Sequence, residues 1–349
     1  MAVEQKYISR CIELAQKGIG EVAPNPMVGC VIVHDGQIIG EGFHEKYGEA
    51  HAEVNAINQV SNQELLKEST MYVSLEPCSH HGKTPPCSDL IIRKQIPRVV
   101  IGTVDQFAKI AGRGIEKLNN AGIDVTVGVL ENECKELNKR FFTFHQLKRP
   151  YIILKWAQTK DGFMDVERES DANGKPTWIT NELARKHVHK TRSEEASIMV
   201  GTNTAIKDNP SLTVRDWHGK NPVRIVLDRE LKIPRNLNLF DTNARTIVFN
   251  SMLSSEKKNI TFHKLDYNQD IIPQVISYLF DQEFISLIVE GGRKTIESFI
   301  ESNLWDEAHI YDGPVLFGKG IPAPVLKGEL VYSNRFKDSN LRIFKNSNY

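Results

Sequence analysis

The chain has no charge excess of either sign: its 349 residues hold 44 lysines and arginines against 44 aspartates and glutamates. Nucleic-acid binders show a basic excess or a clustered basic stripe, so no nucleic-acid partner is expected; local basic pockets for a small phosphorylated ligand remain open. No run of 18 apolar residues occurs, so no membrane-spanning segment is expected. The first ten residues carry charge early and lack the apolar stretch of a signal peptide, which makes the cytoplasm the expected location. Cysteine is scarce: five residues in such a chain read as metal ligands or buried thiols, not as a disulfide framework. Cys11, Cys30 and Cys134 lie in apolar-periodic segments and read as buried and inert. Internal repeats are absent, which excludes a solenoid. No G-x-G-x-x-G motif occurs, so a Rossmann dinucleotide site is unsupported. The stretch Gly313–Gly320 mimics a P-loop, but it ends in glycine where Ser or Thr must meet magnesium, and Pro314 removes an N–H.

What is present describes a soluble α/β protein, with 40% hydrophobic and 25% charged residues and length for two domains. Ile8, Cys11, Ile12 and Ala15 give residues 4–18 a helical apolar stripe. Strands are expected at 29–33, 38–42, 70–75, 99–104 and 125–129. Helices are expected at 51–60, 86–95, 115–121 and, as one long element, 131–147. Arg149-Pro150 ends that helix, because the residue before proline is pushed out of the helical region. The expected domains are therefore 1–148 and 149–349. The second repeats the alternation, with strands at 151–156, 197–201, 223–227, 246–249 and 286–290 and helices at 181–195, 273–280 and 294–302. Alternating elements of this kind imply layered α/β sheets.

The chemistry is concentrated in His51-Ala-Glu53 and, about 25 residues on, Glu76-Pro77-Cys78 followed by Cys87. One imidazole and two thiolates hold zinc on three sides and leave a fourth position for water, the mark of a catalytic site. His-x-Glu … Pro-Cys … Cys is the set used by zinc-dependent base deaminases, with the Glu as general acid/base and not a ligand. His51, Cys78 and Cys87 are thus candidate metal ligands, and Glu53 the candidate proton carrier. Residues i and i+2 of a helix do not share a face, so His51 and Glu53 can serve one site only if the helix starts about there. A structural zinc is the competing reading; it needs a fourth ligand, for which His80 or His81 is available.

Base deaminases mostly space their cysteines as Cys-x-x-Cys, whereas eight residues separate Cys78 from Cys87. That insert, together with Ala23-Pro24-Asn25-Pro26-Met27-Val28-Gly29 and Gly42-Phe43-His44, closely resembles the deaminase half of the bifunctional riboflavin-biosynthesis (RibD) family. The resemblance covers most of residues 1–147. It implies a cytidine-deaminase-like three-layer α/β/α domain, zinc on His51, Cys78 and Cys87, proton transfer by Glu53, and a substrate pocket lined by Asn25, His44, His80 and Lys83.

In the second half, Tyr151-Ile-Ile-Leu-Lys155-Trp-Ala157 places a lysine in an apolar run. An edge-strand lysine facing solvent and a functional lysine are both open. Leu287-Ile-Val-Glu290-Gly291-Gly292 ends a strand in two glycines at a helix start, which offers free N–H groups to a phosphate. With Trp178-Ile-Thr180 and the stretch from Gly201 to Arg215, these residues resemble the reductase half of the same family, over roughly 151–325. That resemblance implies a dihydrofolate-reductase-like α/β domain using NADPH. Cofactor contacts are implied at Ala157, Trp178, Thr204, Asp208 and the turn Gly292, Arg293, Lys294, Thr295, Ile296, Glu297 and Ser298. Arg192, Leu212, Arg215 and Glu290 would face the substrate, the arginines suiting a ribose phosphate. Lys155 would act at the reacting sugar carbon. Arg229 is either a contact for a cofactor 2′-phosphate or a surface arginine. The chain departs from the family pattern at 165–176, which is longer, with Pro176 where a serine is usual, and at Thr159, which also replaces a serine.

The expected protein is thus a cytoplasmic, homo-oligomeric (dimeric or tetrameric) enzyme acting on a small phosphoribosylaminopyrimidine. It would first deaminate that substrate and then reduce its ribosyl side chain to ribityl. A tRNA-base deaminase and a zinc-stabilised binding protein without turnover are the competing classes. Salt-sensitive tRNA binding would favour the first, and a fourth protein ligand on the metal the second.

Overall fold

A computed structural model of the chain describes residues 3–80, 85–106, 112–167 and 177–347. The chain divides into two compact units, Met1–Lys148 and Arg149–Tyr349.

The first unit holds helices α1 (Val3–Ala15), α2 (Ala52–Gln59), α3 (Cys87–Arg93), α4 (Arg113–Asn120), α5 (Glu131–Leu137) and α6 (Lys139–Leu147). Its strands are β1 (Gly29–His34), β2 (Gln37–Phe43), β3 (Thr70–Leu75), β4 (Arg98–Thr103) and β5 (Asp124–Val127). They form one sheet in the order β2-β1-β3-β4-β5, antiparallel on both sides of β1 and parallel from β3 to β5. The period-two alternation of strand side chains builds the layers. Cys30, Ile32, Met71, Val73, Val99 and Ile101 pack with α2, α3 and α4, whereas Val31, Val33, Tyr72 and Val100 pack with α1 and Cys134 of α5. The result is a three-layer α/β/α unit.

Two glycines set how closely α2 lies on the sheet. A Cβ on Gly40 would fall 2.4 Å from the Ala56 carbonyl oxygen, and one on Gly42 2.4 Å from that of Ala52. Only glycine lets β2 approach the helix backbone at these points.

The expected long helix over 131–147 is two helices. Asn138 breaks it: its side chain accepts from the Met27 N–H at 2.8 Å and donates to the Met27 carbonyl at 2.9 Å, while its backbone leaves the helical region. A buried amide serving another segment outweighed the apolar periodicity.

The second unit contains β6 (Tyr151–Gln158), β7 (Phe163–Asp165), α7 (Glu182–Glu194), β8 (Ser197–Gly201), α8 (Thr202–Asp208), β9 (Val223–Leu227), β10 (Thr246–Asn250), β11 (Ser255–Lys257), β12 (Ile260–Lys264), α9 (Ile271–Asp281), β13 (Ser286–Gly291), α10 (Arg293–Glu301), β14 (Glu307–Asp312), β15 (Ile321–Pro322), β16 (Glu329–Phe336) and β17 (Ser339–Lys345). Ten strands form one sheet, ordered β11-β12-β10-β9-β8-β13-β6-β14-β17-β16; β7 and β15 form a separate pair. The run from β12 to β14 is parallel, and both ends turn antiparallel. One face, with Ile152, Leu154, Trp156, Leu287 and Val289, packs on α9 and α10. Ile198, Val200, Val226, Val248 and Ile288 on the other face pack with Ala205 of α8 and the segment carrying Leu212, Ile233 and Leu239.

β6 lies between β13 and β14, so it is not an edge strand. Its Lys155 projects from the face opposite Leu154 and Trp156. The residues after about 331, unassigned from sequence, form the β16–β17 hairpin that ends the sheet. At the P-loop mimic, the N–H groups of Phe317 (3.1 Å) and Gly318 (2.7 Å) both donate to the Asp161 carboxylate.

Candidate active sites

In the first unit, β3 delivers Glu76, Pro77 and Cys78 at its carboxyl end, and α2 and α3 bring their N-terminal ends to the same place. His51 is the N-cap of α2, with extended backbone (φ −75°, ψ 164°). Its side chain is therefore not bound to the 100° rotation of the helix, which resolves the i, i+2 conflict with Glu53. Cys87 is the first residue of α3. The His51 Nδ1 atom lies 3.5 Å from Cys78 Sγ and 3.3 Å from Cys87 Sγ, and all three donor atoms lie within 4.8 Å of one another.

Two thiols and an imidazole at this separation suit zinc, and the electrostatics of the cluster agree. The hydrogen bond to Cys87, then that to His51, pull the Cys78 thiol down to about 4 against burial. The bond to Cys78 and burial push Cys87 far up. A bound divalent ion would take both sulfurs as thiolates. The Cys87 backbone N–H also donates to Cys78 Sγ at 3.3 Å, placing that sulfur at the helix α3 N-terminus. No fourth His, Cys, Asp or Glu joins the cluster among the described residues, and His80 is not part of it. The set therefore fits a three-ligand catalytic zinc.

Glu53 is buried in the first turn of α2, hydrogen-bonded to Cys87, and burial followed by the Cys78 charge raises its pKa. A carboxyl tuned upward beside a metal-ligand cluster is suited to give and take a proton. His44 is also buried; its Nδ1 meets the Ala50 carbonyl at 3.0 Å, so it must donate there, and Nε2 accepts from Asn25 Nδ2 at 3.1 Å. Its ring stands edge-on to that of His51, with centroids 5.5 Å apart. Asn25 and His44 thus join the cluster. Lys83 and His81 lie outside the described residues, as does most of the 165–176 segment, Pro176 included.

Glu76 is a residue that the motif reading passed over. Its buried carboxylate accepts from the N–H groups of Gly114 (2.8 Å), Gly112 (3.0 Å) and Asp105 (3.2 Å), tying the start of α4 to the segment that carries Cys78. No short-range signal marks this role, because its partners lie 29 to 38 residues further on.

The second unit has a cleft of about 1050 Å³ on the sheet face that bears Lys155. Glu290 sits at its floor. The Arg192 guanidinium donates to it through Nε at 2.9 Å and Nη2 at 2.6 Å, and Lys155 Nζ lies 3.7 Å away. Burial pushes Glu290 up, but the charges of Arg192 and Lys155 win and hold it at about 2. Burial lowers the Lys155 pKa, opposed by Glu290. Of the remaining expected residues, Ala157, Trp178, Thr204, Asp208, Leu212, Arg215, Gly292, Arg293, Lys294 and Thr295 line the same cleft.

Four expected cofactor residues are not brought there. Ile296 is fully buried in the core between sheet and α10, because a helix turns successive side chains to different sides. Glu297 accepts from Arg293 Nε at 2.6 Å along the helix, and Ser298 donates to the Lys294 carbonyl at 2.9 Å. Arg229 lies over the Tyr267 ring, 5.2 Å from its centroid, and does not line the cleft. Conversely, His189, Arg185 and Tyr311 line it without having been singled out. Arg185 stacks on Trp178 at 4.2 Å, and Tyr311 bonds His187 Nδ1 at 2.9 Å. For the two α7 residues the signal was their spacing from Arg192, at three and seven positions on one helix face.

Comparison with known proteins gives two family matches. Residues 1–103 match the cytidine and deoxycytidylate deaminase zinc-binding region, and residues 150–347 the RibD C-terminal domain. The riboflavin biosynthesis protein RibD of Aquifex aeolicus is 43% identical over 91% of this chain and 89% of its own. That of Escherichia coli is 35% identical over 90% and 89%. Among solved structures, a diaminohydroxyphosphoribosylaminopyrimidine deaminase/5-amino-6-(5-phosphoribosylamino)uracil reductase from Thermotoga maritima superposes with a TM-score of 0.89, at 38% identity and 99% coverage of both chains. RibD from Acinetobacter baumannii also gives 0.89, at 29% identity and 98% coverage of both.

Proposed function

The chain belongs to the RibD family of bifunctional riboflavin-biosynthesis enzymes, and from that premise we propose how its residues divide the two reactions. The enzyme hydrolytically deaminates 2,5-diamino-6-(5-phosphoribosylamino)pyrimidin-4(3H)-one and then reduces the ribosyl side chain to ribityl with NADPH. When bound, zinc supplies a Lewis acid that acidifies water and NADPH supplies the hydride.

His51, Cys78 and Cys87 hold the metal. Glu53 takes a proton from the attacking water and passes it to the exocyclic nitrogen, which leaves as ammonia. Asn25, His44, His80 and Lys83 hold the pyrimidine. In the other unit, Lys155 polarises the open-chain C1′ carbon as it accepts hydride, while Glu290, fixed by Arg192, keeps the ammonium in place. Arg215 and Leu212 face the phosphoribosyl group. Ala157, Trp178, Thr204, Asp208 and the turn Gly292–Thr295 hold the nicotinamide cofactor. The observation that carries the reading is the convergence of His51 Nδ1 and two sulfurs, with no fourth ligand among the described residues, beside a buried Glu53.

The test gives zinc-loaded protein the diaminopyrimidinone ribotide with and without NADPH, following ammonia and NADPH separately. Ammonia without cofactor, then NADPH oxidation only after deamination, is the expected result. No ammonia, with zinc bound, would overturn it. The same reading makes the enzyme a cytoplasmic homo-oligomer, dimer or tetramer; light scattering that found a fully active monomer would remove the oligomer. No helix among the described residues is long and apolar enough to cross a membrane.

A further inference from the structure

Three successive residues, the last of which lines the reductase cleft, are pinned by their backbones. The Thr213 carbonyl accepts from Arg192 Nη1 at 3.3 Å, the Val214 N–H donates to Asn221 Oδ1 at 2.8 Å, and the Arg215 N–H donates to His189 Nδ1 at 3.2 Å. The stretch does not hold this course by its own preference. Leu212, just before it, has a φ of +52°, a conformation that costs a branched residue energy and persists only where the surroundings impose it.

His189 is 5% exposed and lies one turn from Arg192 on α7. Because its Nδ1 accepts the Arg215 N–H, its proton must sit on Nε2, which faces Asp216 Oδ2 at 3.6 Å. The tautomer is thereby fixed. Arg215 itself is exposed and lines the cleft, and its own backbone anchor to His189 helps settle where its long side chain starts.

We propose that His189 is a positioning residue for phosphate specificity: by accepting the Arg215 N–H, it fixes the point from which the Arg215 guanidinium reaches the phosphate of the phosphoribosyl substrate. This rests on the reading that Arg215 faces that phosphate.

The experiment compares the wild-type enzyme with His189→Leu, His189→Asn and Arg215→Ala. NADPH oxidation is followed on the deaminated phosphoribosyl substrate and on its dephosphorylated counterpart, and NADPH affinity is measured by fluorescence to check the folded cleft. His189→Leu should raise KM for the phosphorylated substrate about tenfold, as expected for one lost backbone hydrogen bond. Its kcat should stay within twofold, and KM for the dephosphorylated compound should not move. His189→Asn offers Oδ1 where Nδ1 stood and should recover most of the loss. Equal damage to both substrates, or a fall in kcat with weakened NADPH binding, would mean a merely structural role and overturn the proposal. So would an unchanged phosphate preference in His189→Leu where Arg215→Ala narrows it. If Arg215→Ala itself leaves the preference intact, the substrate reading fails first and takes this inference with it.

Discussion

The two candidate sites solve the same problem, holding reactive groups at fixed separations, in opposite ways. The deaminase centre is local: its three ligands and its acid/base residue come from two short segments, His51 to Glu53 and Cys78 to Cys87. Each sits at a helix start or a strand end. The reductase cleft is dispersed, drawing Lys155 from β6, Arg192 from α7, Arg215 from a loop and Glu290 from β13. One is organised around a cluster of three donor atoms, on His51, Cys78 and Cys87, that a cation would complete. The other is already satisfied, since Glu290 meets Arg192 and Lys155 within 3.7 Å. The deaminase centre should therefore depend on an exchangeable component, and the reductase cleft on an internal charge balance.

Removing the metal is the sharpest way to separate them. Chelation, or Cys87→Ser, should abolish ammonia release while NADPH oxidation on pre-deaminated substrate continues; parallel loss of both activities would erase the distinction. Glu53→Gln should follow, retaining zinc by elemental analysis and losing about 10²–10⁴ in deamination rate, the range for a positioned acid/base. Wild-type turnover in that variant would remove Glu53 from the mechanism. Lys155→Ala should cost the reductase roughly 10²-fold or more and leave deamination intact, a split that separate assays of the two reactions would read directly.

Acid supplies the mildest probe. Burial, then the charges of Arg192 and Arg215, lowers His189 to about 4, so the folded state binds fewer protons there than the unfolded chain. This contribution is present above about 6.5 and is lost as pH falls through about 4. On the scale of one pKa unit to about 1.4 kcal/mol, it amounts to on the order of 3 kcal/mol at most. Denaturant unfolding of the reductase half should weaken between those pH values, and His189→Asn should flatten the trend. An unchanged slope in that variant would assign the acid sensitivity to other groups, of which His187, also lowered to about 4, is the first.

The contrast also explains what could be read in the chain beforehand. His51, Glu53, Cys78 and Cys87 were legible because metal coordination demands particular residue types at short spacings. The three-layer sheet was legible from period-two and period-3.6 patterns. Lys155 was not decidable from its own segment: whether β6 is an edge or a central strand depends on where β13 and β14 pair, more than 100 residues away. Arg192 was expected to face the substrate; that Glu290 holds it could not be read from its own segment, because that carboxylate lies 98 residues on. That the Ile296 side chain enters the core was not legible from the turn motif, because the turn continues into a helix, where every third or fourth side chain faces inward. Asn138 defeated the helical period because its partner, Met27, is 111 residues distant.

The glycine-rich stretch that imitates a nucleotide-binding loop has one last consequence. Asp161 reaches the N–H groups of Phe317 and Gly318 as an anion tethered to the same chain. A tethered group competes at an effective concentration of the order of millimolar or above. A free phosphate or nucleotide would have to displace this built-in competitor, and the stretch has no threonine or serine to offer magnesium in exchange. The loop is self-inhibited as an anion receptor. What the sequence offers as an anion-binding loop is in the fold a turn closed by its own chain's carboxylate.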